Sequence, residues 1–172
     1  MPLLRMRSAA FATERACSGP VTLDLSPGQR AALAFGSPHE AAVVARLAAG
    51  IVKATTGCVL IGDYDPRVQS AHCKRIAAFV PNEPLELGEL DFARYIAYRA
   101  ALWNVDALQA IARAKALLEQ LEGMHEAFAF PLIGALIATP QLVVLDRPAP
   151  AYAEQILDVA GTCALFSTHA SP

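Results

Sequence analysis

Residues Leu33 to Gly50 read LAFGSPHEAAVVARLAAG. A short apolar run ends at Gly36, Ser37 and Pro38 follow, and an alanine-rich helical pattern sets in at Glu40. Strand, glycine turn and helix in that order outline a phosphate-binding loop, where backbone N–H groups at a helix N-terminus gather around an anion. Such a loop also carries a lysine for the phosphates and a Ser or Thr for the metal ion. Neither follows Gly36 at the required spacing. The stretch predicts a strand-turn-helix unit of an α/β fold and leaves open whether that unit handles phosphate.

Size and composition bound the answer. At 172 residues the chain is expected to hold one domain with a substantial core. Its hydrophobic fraction is 55% and its mean hydropathy +0.36, much of it from alanine. No stretch approaches the roughly 18 uninterrupted apolar residues of a membrane-spanning helix. The longest candidate, Phe128 to Leu145, is interrupted by Pro131, Gly134 and Pro140. A buried core or a partner surface accounts for the hydrophobicity, and no transmembrane segment is expected.

The opening MPLLRMRSAAFATER has scattered arginines and no apolar core, so it does not read as a secretory signal. The net charge of −2, without a basic stripe, argues against nucleic acid as a partner. Cys17, Cys58, Cys73 and Cys163 are widely spaced and form no CxxC pair. Reduced thiols and a cytoplasmic location follow from that spacing. The four histidines are scattered and give no metal-ligand pattern.

Apolar, often β-branched runs predict strands at Val21–Leu25, Ala31–Phe35, Cys58–Ile61, Ala77–Val80, Leu142–Leu145 and Ala164–Phe166. The continuous VVL and ALF runs suit parallel strands covered on both faces. Helices are predicted at Glu40–Ala49, Asp91–Trp103 and Asp106–Glu122. The last opens with Asp106 and Gln109 at capping-box spacing, and Leu108, Ile111, Ala112, Leu118 and Leu121 fall near one face. Strands, a helical insert and further strands describe an α/β domain with a helical subdomain at about residues 86–130.

Laid end to end, these segments resemble the ATP-binding cassette (ABC) ATPase of ABC transporters. VTLDLSPGQRAALAFG is similar to the strands leading into that family's Walker A loop. CVLIGDYDP resembles its G-x-V-x-I-x-G strand, and RIAAFVPNEP its Q-loop strand. LIATPQLVVLDRP resembles the Walker B region and FSTHASP the switch-histidine loop. The order agrees from about Val21 to His169. The resemblance implies one P-loop NTPase-like domain over residues 1–172, with a mixed sheet and a helical subdomain. A doubly wound α/β domain with its crevice elsewhere is the alternative fold.

The departures from the family pattern fall on the chemistry. Aligned on Gly36, His39 and Ala41 stand at the second and third Walker A glycines, Ala42 at the lysine and Val43 at the Ser/Thr. Glu40 brings a carboxylate near where phosphate charge would sit. Asp146 ends the Walker B strand at the position that supports Mg²⁺, but Arg147 follows where the family has a glutamate. A guanidinium cannot accept a proton at neutral pH. Asn82 stands at the Q-loop glutamine, and EGMHE at Glu122–Glu126 replaces the LSGGQ signature. APAYAEQ offers no D-loop aspartate, whereas His169 matches the switch histidine. Gly36, Ala42, Val43 and Asn82 are thus remnants of a nucleotide site, and Asp146 and His169 remnants of a catalytic and metal site.

Simpler readings stand beside these. Asp146 can cap a strand end next to Arg147, and His169 can be an ordinary loop histidine. Gly36 and Gly28 read as turn glycines, Phe11 as a core plug, and Trp103, Tyr95 and Tyr98 as interior residues of the helical block. Family members continue beyond the point where this sequence stops at Pro172, so a C-terminal truncation and a bare sheet edge are expected. Contact through Leu142–Leu145, Ala164–Phe166 or the helical block would follow from such an edge.

Three functions are consistent with the residues. The first is a hydrolysis-deficient ABC-like subunit with a binding or assembly role, needing no cofactor. Its partners would be a second copy, an ABC-type ATPase or a membrane permease, at the inner face of a membrane. The second is an active ABC ATPase subunit using ATP and Mg²⁺. The third is a freestanding domain with an unrelated small-molecule pocket.

Overall fold

The computed structural model describes residues 1–14 and 16–171. Arg15 in the N-terminal stretch and Pro172, where the sequence stops, lie outside the described residues. Strands β1 (Leu4–Ala12), β2 (Cys17–Leu25) and β3 (Arg30–Phe35) precede helix α1 (Pro38–Ala48) and strand β4 (Thr56–Ile61). Then come α2 (Ser70–Ile76), β5 (Ala77–Val80), α3 (Phe92–Trp103), α4 (Ala107–Gln120) and α5 (Glu126–Leu136). β6 (Leu142–Asp146), a 3-10 turn at Pro150–Tyr152, α6 (Ala153–Ala160) and β7 (Ala164–Ala170) complete the chain. It divides into two compact units: residues 1–79, 140–148 and from Thr162 onward, and residues 80–139 with 149–161.

The first unit is built from two sheets and α1. β2, β1 and β4 pair antiparallel in the order β2-β1-β4. The second sheet runs β3-β7-β6-β5, with β3–β7 and β6–β7 parallel. Because β7 separates β3 from β6, the last strand lies inside its sheet and not at an edge. Helix α1 touches strands of both sheets. Its Val44, Ala45, Leu47 and Ala48 join one core with Leu4, Met6, Val59, Ile61, Leu142, Val144 and Phe166. Alanine and valine dominate that helix because it is covered on several sides, and small side chains let sheet and helix backbones approach closely. Each Leu or Val sealed there contributes about 1.5–3 kcal/mol relative to exposure.

The N-terminal strand β1 was not marked by the apolar pattern. Leu4 and Met6 are buried while Arg5 and Arg7 turn outward, an alternation that suits a strand with one covered face. Register shifts on both sides of Ser8–Ala9 then break the alternation. Ser8 itself sits at φ +44°, so the strand carries a bulge that hides its period.

The four cysteines are free thiols, Cys17 exposed and Cys73 buried beneath the Tyr64 carbonyl. Burial pushes the Cys73 thiol above its ordinary pKa. Thiolate is the reactive form. Mass spectrometry after brief alkylation at pH 8 should find Cys17 modified and Cys73 spared until denaturant is added.

The second unit is helical. Asp91 caps α3 by accepting from the Arg94 N–H, and Asp106 caps α4 by accepting from Gln109 N–H at 2.9 Å. The buried face of α4 is Ala110, Ala114 and Leu117 with the adjoining Leu121, not the face through Leu108 and Ala112. Leu108 is 79% exposed. Bulk favoured Leu108 in the sequence, but helix α4 is buried through Ala110 and Ala114 together with Leu117 and Leu121. Tyr98 likewise points outward at 62% exposure, contrary to the interior placement expected for it.

Helix α5 runs straight through Pro131 and Gly134, the residues expected to interrupt that stretch. Pro131 removes the bond its N–H would give to the Ala127 carbonyl. That carbonyl instead accepts from Leu85 N–H at 2.9 Å. Gly134 leaves space for Tyr95, whose Oη would stand 2.5 Å from an added Cβ. Both apparent breakers are therefore accommodated by specific neighbours, and every residue of α5 from Ala129 to Leu136 is buried.

Candidate functional site

In open α/β sheets, ligand crevices lie beyond the carboxyl ends of parallel strands. Here those ends belong to β3, β6 and β7. Register pairs Leu33 with Thr168 and Asp146 with Thr168, and the Ser171 N–H closes the end by donating to Phe35 O at 2.7 Å. Asp146 and His169 are thereby brought to neighbouring strand ends, and α1 starts from the third.

The connection from β3 to α1 is only Gly36 and Ser37. Ser37 is the N-cap, with extended backbone and an Oγ that accepts from the Glu40 N–H at 3.1 Å. Pro38 opens the helix without an N–H, and Ala41 N–H donates to Ser37 O. Ser37 and Glu40 form an S-x-x-E sequence, a signal for a helix start that could have been read directly. The Glu40 carboxylate does not turn back to its own cap. It accepts from the Gly19 N–H of β2 at 3.0 Å and so ties α1 to the antiparallel sheet.

Ala42 and Val43 lie inside α1, 7% and 6% exposed, on a covered part of the helix and not in a loop. Gly36 has no left-handed backbone, and a Cβ added there meets nothing within 4 Å. The turn-glycine role expected for it is thus not required by the backbone, whereas Gly28 at φ +72° does use that freedom. Gly36→Ala should change stability by less than about 1 kcal/mol, with a small gain the expected sign, because alanine restricts the unfolded chain. Urea denaturation of the two proteins checks this.

Asp146 ends β6 with its side chain fully buried. Arg147, the next residue, stands at φ +47° and folds back onto it. Its Nε donates to Asp146 Oδ1 at 2.8 Å and an Nη to Oδ2 at 3.3 Å. Thr168, opposite Asp146 in register, is fully buried, and its Oγ1 has no hydrogen-bond partner among the described residues. On the same strand the Ser167 Oγ and His169 Nε2 are 3.0 Å apart. Alternation along β7 places Thr168 with Phe166 on the α1 side and sends Ser167 and His169 to the other face. Asp146 and His169 therefore do not share a face.

The remaining candidates sit elsewhere. Asn82 belongs to the helical unit, half-buried in the loop after β5. Residues 122–126 join α4 to α5: Gly123 is at φ +86°, and His125 caps α5 through Nδ1, which accepts from Ala127 N–H at 3.2 Å. Gln155 Nε2 donates to Glu122 O, which fixes this loop against α6. Phe11 packs against the core of the first unit. Among the described residues, no group of His, Cys, Asp or Glu is arranged to hold a metal ion.

A two-sheet unit with its central helix, and a helical unit, are the parts of the fold found in ABC ATP-binding subunits. Solved structures bear this out. An ATP-binding subunit of an ABC transporter superposes with a TM-score of 0.78 at 17% identity, covering 97% of this chain and 79% of that one. cbiO1 from Clostridium perfringens, part of the ABC transporter complex cbiONQ, gives 0.73 at 13% identity, covering 98% and 78%. The ADP conformation of MJ1267, an ATP-binding cassette of an ABC transporter, gives 0.73 at 14% identity, covering 100% and 82%. No protein-family model matches the sequence. No curated protein matches it either. The likeness is one of fold.

Proposed function

We propose that this chain is a hydrolysis-deficient ABC-type subunit with a binding or assembly role in a transporter-type complex. The observation that carries the reading is the Gly36–Ser37 turn, two residues long between β3 and α1. A phosphate cradle needs a longer loop whose N–H groups converge on the anion, with a lysine beside it. Here the first helical turn has a proline, two N–H groups already bound, and alanine and valine where cation and hydroxyl would stand. The carboxylate of Asp146 is held by Arg147, and the imidazole of His169 by Ser167. These residues do not fit Mg·ATP.

Catalysis of phosphoryl transfer is almost entirely positioning and electrostatic stabilisation, so the loss of those donors is expected to be close to total. In a phosphate-release assay, the wild-type chain should be no faster than an Arg147→Ala, His169→Ala double variant. Release clearly above that variant would refute the proposal. Ala42→Lys alone should gain no Mg·ATP-dependent rise in Tm, because Val43 still offers the metal nothing and groups acting as a unit are non-additive.

A binding role draws support from the helical unit, where Tyr98, Leu102 and Leu108 are 61–79% exposed. Exposed large apolar side chains are candidates for an interaction surface. Leu142–Leu145 and Ala164–Phe166, the other expected contact region, are buried within the chain itself and cannot serve. The partner we propose is a second copy, an ABC-type ATPase or a membrane permease, met at the cytoplasmic face of a membrane. Among the described residues no helix is long and apolar enough to cross a membrane. Light scattering should show an oligomer or a co-purifying partner, and a clean monomer at high concentration would count against assembly.

A further inference from the structure

A carboxylate sealed from water is costly unless a cation accompanies it. Asp146 is such a group, and the cation described beside it is the guanidinium of its own neighbour. Adjacent residues on a strand point to opposite faces, so extended backbone would send the Arg147 side chain away from that carboxylate. It does so by leaving the strand at φ +47°, a conformation that disfavours any residue with a Cβ. The two-pronged contact is thus held against a local backbone preference.

We infer that Arg147 is a built-in counterion, standing at Asp146 where a divalent cation would stand in a chain that binds Mg·ATP. The inference rests on the reading of this strand end as a former metal site. The Thr168 hydroxyl, buried and without a hydrogen-bond partner among the described residues, lies on the same face of the sheet, on the strand residue paired with Asp146. Hard divalent cations take carboxylate and hydroxyl oxygens of this kind. The guanidinium neutralises the carboxylate without metal, so this end of the sheet folds independently of cation and nucleotide.

The test uses Mn²⁺ as probe and thermal unfolding as readout. Wild-type Tm should be the same in chelator and in millimolar Mn²⁺. Arg147→Gly suits the left-handed backbone but removes the cation, and its unfolding constant should rise roughly 10²-fold in chelator. Mn²⁺ should recover much of that loss, and the recovery should vanish in an Asp146→Asn, Arg147→Gly double variant. Arg147→Lys keeps a cation and should remain folded and indifferent to Mn²⁺. Three results would overturn the inference: a wild-type Tm that rises with Mn²⁺, an Arg147→Gly protein as stable as wild type or unresponsive to the ion, or an Arg147→Lys protein that fails to fold. If Arg147→Gly does not fold in chelator, its folding in Mn²⁺ supports the inference and its failure there overturns it. None of these outcomes depends on phosphate release, so the loss of hydrolysis and the role of Arg147 stand or fall separately.

Discussion

Gly57→Ala should be among the most damaging single-methyl substitutions in this chain, lowering Tm by roughly 4–20 °C or preventing folding. Gly57 lies in β4 at φ +70°, and a Cβ there would stand 2.2 Å from Ser8 O and 2.3 Å from Arg7 O. Both neighbours are backbone atoms of the β1 bulge, so no side chain can rotate aside. The left-handed conformation alone costs about 1–2 kcal/mol. Relieving the overlap requires β1 and β4 to part, and forced repacking adds about 1–3 kcal/mol. For a chain of this size each kcal/mol moves Tm by about 2–4 °C. Calorimetry of the variant beside Gly36→Ala makes the contrast direct: the same added methyl is harmless at one glycine and severe at the other.

Phe166→Ala should lose about 3–5 kcal/mol. The side chain is fully buried in β7, the strand between β3 and β6, and it belongs to the core shared with α1. Its flanking partners are Ala31 and Val144, which cannot expand to fill the space. Leu108→Ala, also an apolar truncation but at a 79% exposed position, should stay within about 0.5 kcal/mol. Urea midpoints of the two variants separate burial from hydrophobicity.

Six strands were legible because they are short apolar runs, and all six runs are strands in the structure, four in the β3-β7-β6-β5 sheet and two in the antiparallel sheet. Asp106 was readable as a helix cap because its chemistry is local. What failed to show depended on distant neighbours. β1 was hidden by a bulge, and its fit depends on Gly57, more than forty residues away in the chain. Helix α5 reads as broken at Pro131 until Leu85 supplies the replacement donor. The packing face of α4 was partly misassigned because Ala110 and Ala114 share it with Leu117 and Leu121, while Leu108 is exposed.

At the site, the residue types were readable and the geometry was not. The resemblance aligned Ala42 and Val43 with the lysine and hydroxyl positions of a phosphate loop, and Arg147 follows Asp146 in the chain. The start of α1 was readable from the Ser37–Glu40 spacing, but only the fold showed that Glu40 is bound to Gly19 and that Arg147 turns back onto Asp146. These are long-range or backbone features for which no spacing rule exists.

The central claim is that this cassette-like fold has no working polyphosphate site, and an equilibrium titration with Mg·ATP tests it most directly. Calorimetry of the wild-type chain should show no saturable binding at millimolar nucleotide, and Tm should be the same with and without Mg·ATP. Saturable, Mg²⁺-dependent binding that is abolished by Asp146→Asn would contradict the account.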